Sequence, residues 1–325
     1  MTRPGEPLVS IVTPSFNQGG FIAETIASVL GQDYPHVEYL VVDGGSTDGT
    51  LEILRGFGKR LSWVSEPDRG QSDAINKGWR RTRGEIIAWL NADDLYRPGA
   101  ITKAVAFFQQ HPDIDLVYGD CDFINEEGDV LERHHKGQTS AADLVRSPVS
   151  VILQPAAFLR RRVLETVGYL DETLQFIMDM EYWLRVASRH KISHLPECLA
   201  AFRVHGESKS GRQSQRFEDE RLRVYERFFK SPSVPDHLRR FEREALRNVY
   251  SRAANDHFLA GDMKQALRYA AASWRYLPWR PQRRQLKVLL LSLAGSRGVR
   301  VAAWLRNLAG AAGGLRDSVV ARARR

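Results

Sequence analysis

The chain has little cysteine: two in 325 residues, Cys121 and Cys198. That number fits no metal spacing and no disulfide framework, so a reducing compartment is expected. Long apolar runs are also missing. The longest, Val288 to Gly295, falls far short of the roughly 20 residues a membrane-spanning helix needs. No apolar leader opens the chain, because Met1-Thr2-Arg3-Pro4-Gly5-Glu6-Pro7 is polar and leads straight into a strand pattern. A cytoplasmic protein is the expectation. After that first strand comes Thr13-Pro14-Ser15-Phe16-Asn17-Gln18, with no G-x-G-x-x-G cradle, and there is no P-loop. The dinucleotide-binding reading and the glycine-rich loop of a nucleotidylyltransferase both fall away. A bound nucleotide would be held by acidic side chains and a metal.

Acid is scarce at the far end. Residues 280–325 carry eleven Arg and Lys against one acid, Asp317, a local net charge of +10. The whole chain is +8, so the first 279 residues stand near −2. A basic tail on a slightly acidic body points to an anionic partner surface, membrane or nucleic acid. The tail has no nucleic-acid motif and no interleaved aromatics apart from Trp304, so nucleic acid is not the expected partner. The bulk composition, 43% hydrophobic and 26% charged, is that of an ordinary globular protein with one large domain and an appendage, or two domains.

The chain is organised around Glu85-Ile86-Ile87-Ala88-Trp89-Leu90-Asn91-Ala92-Asp93-Asp94. Five of the six residues from Ile86 to Asn91 are apolar, too few for a helix stripe and right for a buried strand. The run stops on two adjacent carboxylates. In open α/β sheets, ligands sit at the carboxyl ends of strands. Paired carboxylates repel each other unless a cation or hydroxyl donors lie between them, and a hard divalent metal that keeps its phosphate partners suits such a place. The plainer reading is a cap on the helix after Arg97-Pro98.

Around this stretch, strands and helices alternate. Leu8–Pro14 reads as a strand stopped by Pro14, Phe21–Leu30 as a helix, and Val37–Val42 as a strand ending on Asp43. Gly44–Thr50 is a tight loop opening a helix. Leu61–Ser65 is a strand and Ser72–Arg83 a helix. Such alternation implies a mostly parallel sheet with helices on both faces. A helix over Ile101–Gln110 and a strand over Leu116–Asp120 follow, and Asp122 to Lys136 reads as a hairpin turning at Glu126–Asp129. Gly119-Asp120 either meets a ligand or ends a strand, and the second reading is preferred. From Gln213 the texture changes to charged helices over Phe217–Lys230, Asp236–Leu259 and Asp262–Tyr276, the last two able to form a helical hairpin. Arg283–Leu293 and Val299–Leu308 mix apolar residues with Arg, to lie on an anionic membrane or to cap the α/β domain as helices.

Three segments carry a family likeness: Val9–Asn17, Val41–Thr50, and Gly70–Gly78 ahead of the Asp-Asp motif. Over roughly residues 8–210 the chain resembles the family-two, inverting glycosyltransferases of bacterial polysaccharide and cell-envelope type, which have a Rossmann-like GT-A fold. The resemblance implies a catalytic domain over 1–211 and a helical, basic extension over 212–325. It implies a nucleotide-sugar donor held with Mg²⁺ or Mn²⁺, and a glycan or lipid-linked acceptor. Thr13, Pro14, Phe16, Asp43, Arg69, Asp93, Gly168 and His205 would surround nucleotide and donor, with Asp43 at the base. Asp94, Asp93 and His205 would hold the metal. Arg203 and Lys209, in the loop resembling the family's diphosphate closure, would offset pyrophosphate charge. Phe176–Leu184 resembles the family's acid-Asp-x-x-x-Trp element, so Asp179 falls on the general-base position, with Glu181 as runner-up. Two positions depart from the family pattern: Asn91 stands at the first acid of the metal motif, and Met178 replaces the acid before Asp179. The rival reading is a catalytically weakened sugar-nucleotide or glycan-binding module; intact Asp93, Asp94 and Asp179 argue against it.

Overall fold

The computed structural model describes residues 6–206 and 214–276. The described residues divide into two compact units: those of 6–140 with 151–203, and those of 141–150 with 204–206 and 214–276.

The first unit holds one nine-stranded mixed sheet. Its strands and helices run β1 (Val9–Ser15), α1 (Ile22–Leu30), β2 (Val37–Asp43), α2 (Thr50–Gly56), β3 (Ser62–Ser65), α3 (Gln71–Arg81), β4 (Ile86–Trp89), β5 (Leu95–Tyr96), α4 (Ala100–Gln110), β6 (Leu116–Ile124) and β7 (Val130–His134). After α5 (Ala141–Arg146), which belongs to the second unit, come β8 (Ala157–Arg160), α6 (Arg162–Val167), α7 (Met178–Ala187) and β9 (Ile192–Arg203). The strand order is β3-β2-β1-β4-β8-β6-β9-β5, with β7 on β6. The β3-β2-β1-β4 half is parallel, whereas β8 is antiparallel to both β4 and β6.

The apolar runs become strands because both faces of the sheet are covered. Val9, Ile11, Val41, Ile86 and Ala88 lie in one cluster with Ile22, Ile26 and Val29 of α1 and Ala100, Ile101 and Ala104 of α4. Trp89 stacks on Trp183 of α7 at 5.4 Å and meets Trp79 of α3 edge-on at 5.5 Å. Burying side chains of this size contributes about 2–3 kcal/mol each, so α3 and α7 are anchored directly beneath the end of β4.

Three elements differ from expectation. β1 does not stop at Pro14, which pairs with Val42 within the strand. Val12 O accepts from Leu90 N, so Pro14, two residues on, turns its missing N–H to the same β4 side, where pairing has already ended at Val12–Trp89. Gly119-Asp120 does not end a strand, because β6 runs on to Ile124. There β9 comes so close that a Cβ on Gly119 would lie 2.4 Å from Leu199 Cγ, at a shift in register between the two strands. The carboxylate of Asp120 accepts from His135 Nδ1, His194 Nε2 and Lys136 N at 2.8–2.9 Å.

The second unit contains α5, α8 (Ser214–Lys230), α9 (Asp236–Arg239), α10 (Glu242–Leu259) and α11 (Met263–Tyr276). The helix expected over Asp236–Leu259 is broken between α9 and α10. No local breaker sits there; instead, Arg239 donates to the carbonyls of Phe229, Ser231 and Val234 and draws α9 onto the preceding turn. α10 and α11 form the expected helical hairpin around Ala254, Phe258, Ala266 and Ala270. Asp262 Oδ1 caps the second helix through Gln265 N at 3.1 Å. Among the described residues no helix is long and apolar enough to cross a membrane. The amphipathic segments expected within 283–308 and Lys209 lie outside the described residues.

Candidate active site

β1, β2, β3 and β4 are parallel, so Ser15, Asp43, Ser65 and Trp89 mark one edge of the sheet. From β1 the chain moves outward to β2 and β3, then crosses back to lay β4 on the other side of β1. The strand order therefore reverses between β1 and β4, and the crevice at their carboxyl ends is where an open α/β sheet takes a ligand. The Asp93–Asp94 turn leaves β4 at this point.

The β1 side of the crevice is a loop stitched to its neighbour. Asn17, at φ 52°, takes the left-handed conformation that Asn tolerates better than most residues. Asn17 N donates to Ser46 Oγ (2.7 Å), Thr47 N to Asn17 Oδ1 (2.9 Å), Gln18 N to Thr50 Oγ1 (3.1 Å) and Gly19 N to Asp48 Oδ2 (2.9 Å). Phe16 beside them is 57% exposed, an aromatic face open to a ligand. Thr13 and Pro14 are buried in the strand, and Thr13 Oγ1 meets Tyr39 OH at 3.0 Å. Asp43 is buried; its Oδ2 accepts from Gly45 N, Ser46 N and Ser65 Oγ, and its Oδ1 from Ser46 Oγ. Arg69 is largely exposed and paired with Glu172 and Asp73.

On the β4 side, Asp94 is buried and Asp93 half-buried. Asp94 Oδ1 accepts from Arg203 N and Oδ2 from Asn91 Nδ2, both at 3.0 Å. Burial pushes the Asp94 carboxyl well above the usual range and the Asp93 charge adds to this, against the Arg203 N–H, the Asn91 amide and the Arg203 charge. Asn91 also donates to Gln154 Oε1 (3.0 Å) and accepts from Gln71 Nε2 (2.6 Å). The amide at the motif's first position is thus the donor that a carboxylate there could not be.

Arg203 does not reach out to a diphosphate. It is fully buried, with Nε donating to Asp93 O (3.0 Å), Nη1 to Asn125 O (3.2 Å) and Glu126 O, and Nη2 to Glu24 Oε2 (2.6 Å). Its charge is spent locking the Asp93–Asp94 turn to α1 and to the β6–β7 turn. His205, buried just past β9, belongs to the second unit, and its metal role rests on the family pattern.

The fit of a metal can be read from the donor set. Asp94 has used one acceptor position on each oxygen, and a carboxylate has about four. A cation would also stabilise the ionised carboxylate and so oppose the rise in pKa that burial causes. Among the described residues no three His, Cys, Asp or Glu side chains converge as a cage. One or two carboxylates completed by phosphate and water is how Mg²⁺ is held, and the hard oxygens suit Mn²⁺ equally. The residues fit.

Asp179 lies in the first turn of α7, half-buried. Glu181 is buried and gripped bidentately by Arg185 at 2.7 and 2.8 Å, while Arg185 also donates to the carbonyls of Val167 and Tyr169. That pair holds α7 to the chain around Gly168, and the base role of Asp179 rests on the family pattern. Gly168 ends α6 at φ 78°, a conformation that favours glycine, and its carbonyl accepts from Tyr182 OH. Sequence reasoning missed Gln71, Ser72 and Gln154 as site residues. Gln71 and Ser72 had only their membership of the Gly70–Gly78 segment as a signal, and Gln154 lies outside the three segments. Nothing local says which backbone an amide will meet.

A family model for glycosyl transferase family 2 matches residues 10–168. A PGL/p-HBAD biosynthesis glycosyltransferase of Mycobacterium bovis is 31% identical over 188 residues, covering 56% of this chain and 70% of that protein. An uncharacterized glycosyltransferase of Rickettsia typhi is 28% identical over 61% of this chain, and the chain spans 64% of its length. Among solved structures, S. aureus TarS 1-349 in complex with UDP-GlcNAc superposes with a TM-score of 0.67 at 17% identity, over 91% of this chain and 88% of that one. The mannosyltransferase PcManGT of Pyrobaculum calidifontis, in complex with GDP-Man and Mn²⁺, gives 0.61 at 18% identity over 94% and 88%. The fold is GT-A, with a helical C-terminal region. The chain belongs to glycosyl transferase family 2.

Proposed function

We propose that the protein is a metal-dependent, inverting glycosyltransferase that moves a sugar from a nucleotide-sugar donor to a hydroxyl of a glycan or lipid-linked acceptor in cell-envelope polysaccharide synthesis. The observation that carries this reading is the Asp93–Asp94 turn at the crevice where strand order reverses, with α7 anchored beside it through Trp89 and Trp183. The names of the relatives support the reaction class, and the nucleotide sugars in the two solved neighbours support the donor class.

A Mg²⁺ or Mn²⁺ ion held by Asp94 and Asp93 would supply positive charge to the departing diphosphate. Phe16 and the stitched β1 loop bind and orient the nucleotide, and Asp43 fixes Ser46, whose hydroxyl accepts from Asn17 N of that loop. Asp179 takes the proton of the acceptor hydroxyl. As that oxygen attacks the anomeric carbon, the bond to the diphosphate oxygen breaks on the opposite face and its electron pair leaves with the diphosphate. Arg203 keeps the Asp93–Asp94 turn in register throughout. The basic tail would bring the enzyme to an anionic membrane surface, and salt-sensitive vesicle binding lost on removing residues 281–325 tests that.

The test of the reaction is release of nucleoside diphosphate from a panel of UDP- and GDP-sugars, with and without Mn²⁺. Asp179→Asn should lower kcat by about 10²–10⁴-fold with donor affinity retained. Glu181→Gln should act mainly on stability. A dead Glu181→Gln beside an active Asp179→Asn would show the base to be misassigned.

A further inference from the structure

We propose that the first turn of α3 is the strut that sets Asp179 against the Asp93–Asp94 turn, with Gln71 and Ser72 as positioning residues; this rests on the reading of Asp179 as base. Consecutive residues grip the two sides. Gln71 Nε2 donates to Asn91 Oδ1 at 2.6 Å, and Asn91 Nδ2 in turn donates to Asp94 Oδ2. Ser72 Oγ donates to Met178 Sδ at 2.9 Å, and Met178 is the residue before Asp179. Ser72 and Met178 are 2% and 7% exposed, so the contact lies inside the protein.

The strut has a fixed base. Asp73 Oδ2 accepts from Arg69 N at 3.0 Å at the head of the helix. Asn76 exchanges bonds with the backbone of Leu170, donating to its carbonyl at 2.9 Å and accepting from its N–H at 3.0 Å. Below, Trp79 packs against Trp89, which packs against Trp183, so α3, β4 and α7 share one apolar layer. Gln71 and Ser72 form the polar layer above it.

The two positions where this chain departs from the family pattern, Asn91 and Met178, are the two that α3 grips. Each departure is matched to its partner. The Asn91 oxygen accepts from the Gln71 amide while its own amide serves Asp94, which a carboxylate at that position could not do. The Met178 thioether accepts from Ser72 without placing a second negative charge next to Asp179. Geometry of this kind matters because an error of about 1 Å between reacting groups costs on the order of 10²-fold in rate.

The test uses Ser72→Ala, Ser72→Thr, Met178→Leu and Gln71→Ala in the full chain. Readouts are kcat for diphosphate release from whichever UDP- or GDP-sugar turns over, UDP or GDP affinity with Mn²⁺, and amide hydrogen exchange of the metal-free protein. Ser72→Ala and Met178→Leu should each lower kcat about tenfold with donor affinity unchanged. The two should not add, and Ser72→Thr should restore the rate. In an Asp179→Asn background Ser72→Ala should cost nothing more, because the group it positions is gone. Exchange should quicken at the Glu181 amide in Ser72→Ala and at the Asp94 amide in Gln71→Ala. The proposal is overturned if Ser72→Ala keeps the full kcat, if its cost persists in Asp179→Asn, or if neither amide changes. Should Asp179→Asn itself be fully active, the base reading fails, and the two amides alone decide whether α3 holds both sides.

Discussion

β2 and β4 flank β1 on opposite sides, and each leads into a buried aspartate, yet the two carboxylates live in opposite circumstances. Asp43 is met by Gly45 N, Ser46 N, Ser46 Oγ and Ser65 Oγ, all from its own loop and the next strand. Asp94 is met by Arg203 N and Asn91 Nδ2 and has the Asp93 charge beside it. The first charge is settled by the fold. The second is left short of donors, which is a poor arrangement for stability and a good one for a cation. Two acids on either side of β1 thus differ in how fully the fold satisfies them, Asp43 by four donors and Asp94 by two.

The sharpest way to break this contrast is Asp94→Ala. Sugar transfer should fall by about 10²–10³-fold or more, while the melting temperature of the metal-free protein changes little, because relief of the Asp93 repulsion offsets the two donors, Arg203 N and Asn91 Nδ2, left without Asp94. Mn²⁺ should raise the melting temperature of the wild type and not of the variant. Asp43→Ala should act first on stability. With its donors stranded in a buried loop, a stability loss of about 3 kcal/mol is expected in denaturant titration. Wild-type stability in that variant would erase the distinction between the two acids.

Asn91→Asp sharpens the comparison from the other side. It removes the donations to Asp94 and Gln154 and adds a third acid to the turn, so metal-free stability should fall by about 1–2 kcal/mol. Mn²⁺ affinity should rise, as isothermal titration would show. The smallest effect is expected at Asp48, in the loop that Asp43 shapes. Burial raises its pKa, but bonds from the Thr50 hydroxyl and the Gly19 and Thr50 N–H groups outweigh it, so the folded value lies below the ordinary one. The stability from that shift is therefore present above about pH 4 and lost as pH falls through the folded value. Because Asp48 is exposed, Asp48→Asn should cost only a few tenths of a kcal/mol at pH 7, vanishing in acid melts.

Much of this was legible before any coordinates. The alternation of short apolar runs with helical spacing placed β1 to β4 and α1 to α4 within a few residues, because local periodicity reports which faces are buried. What failed had non-local causes. Pro14 stays in a strand because its neighbour β4 has ended, and the helix over Asp236–Leu259 breaks because Arg239 finds three carbonyls behind it. Arg203 was expected at the diphosphate because its segment resembles the family's closing loop. The strand order gave it another task, burying it among Asp93, Asn125, Glu126 and Glu24.

The amino-acid sequence by itself determined the fold class, the family and the short motifs that carry chemistry, since these depend on residues close together along the chain. Through the family resemblance it could name Asp43, Asp94, Asp179 and Glu181 and give each an expected role, but not show what surrounds each carboxylate. Tertiary structure decided that Asp43 is saturated by its loop, that Glu181 is taken by Arg185, and that Asn91 and Met178 are held by adjacent residues of α3. A carboxylate's role follows from how many donors and charges surround it, and in this protein those arrive from strands and helices far apart in the chain.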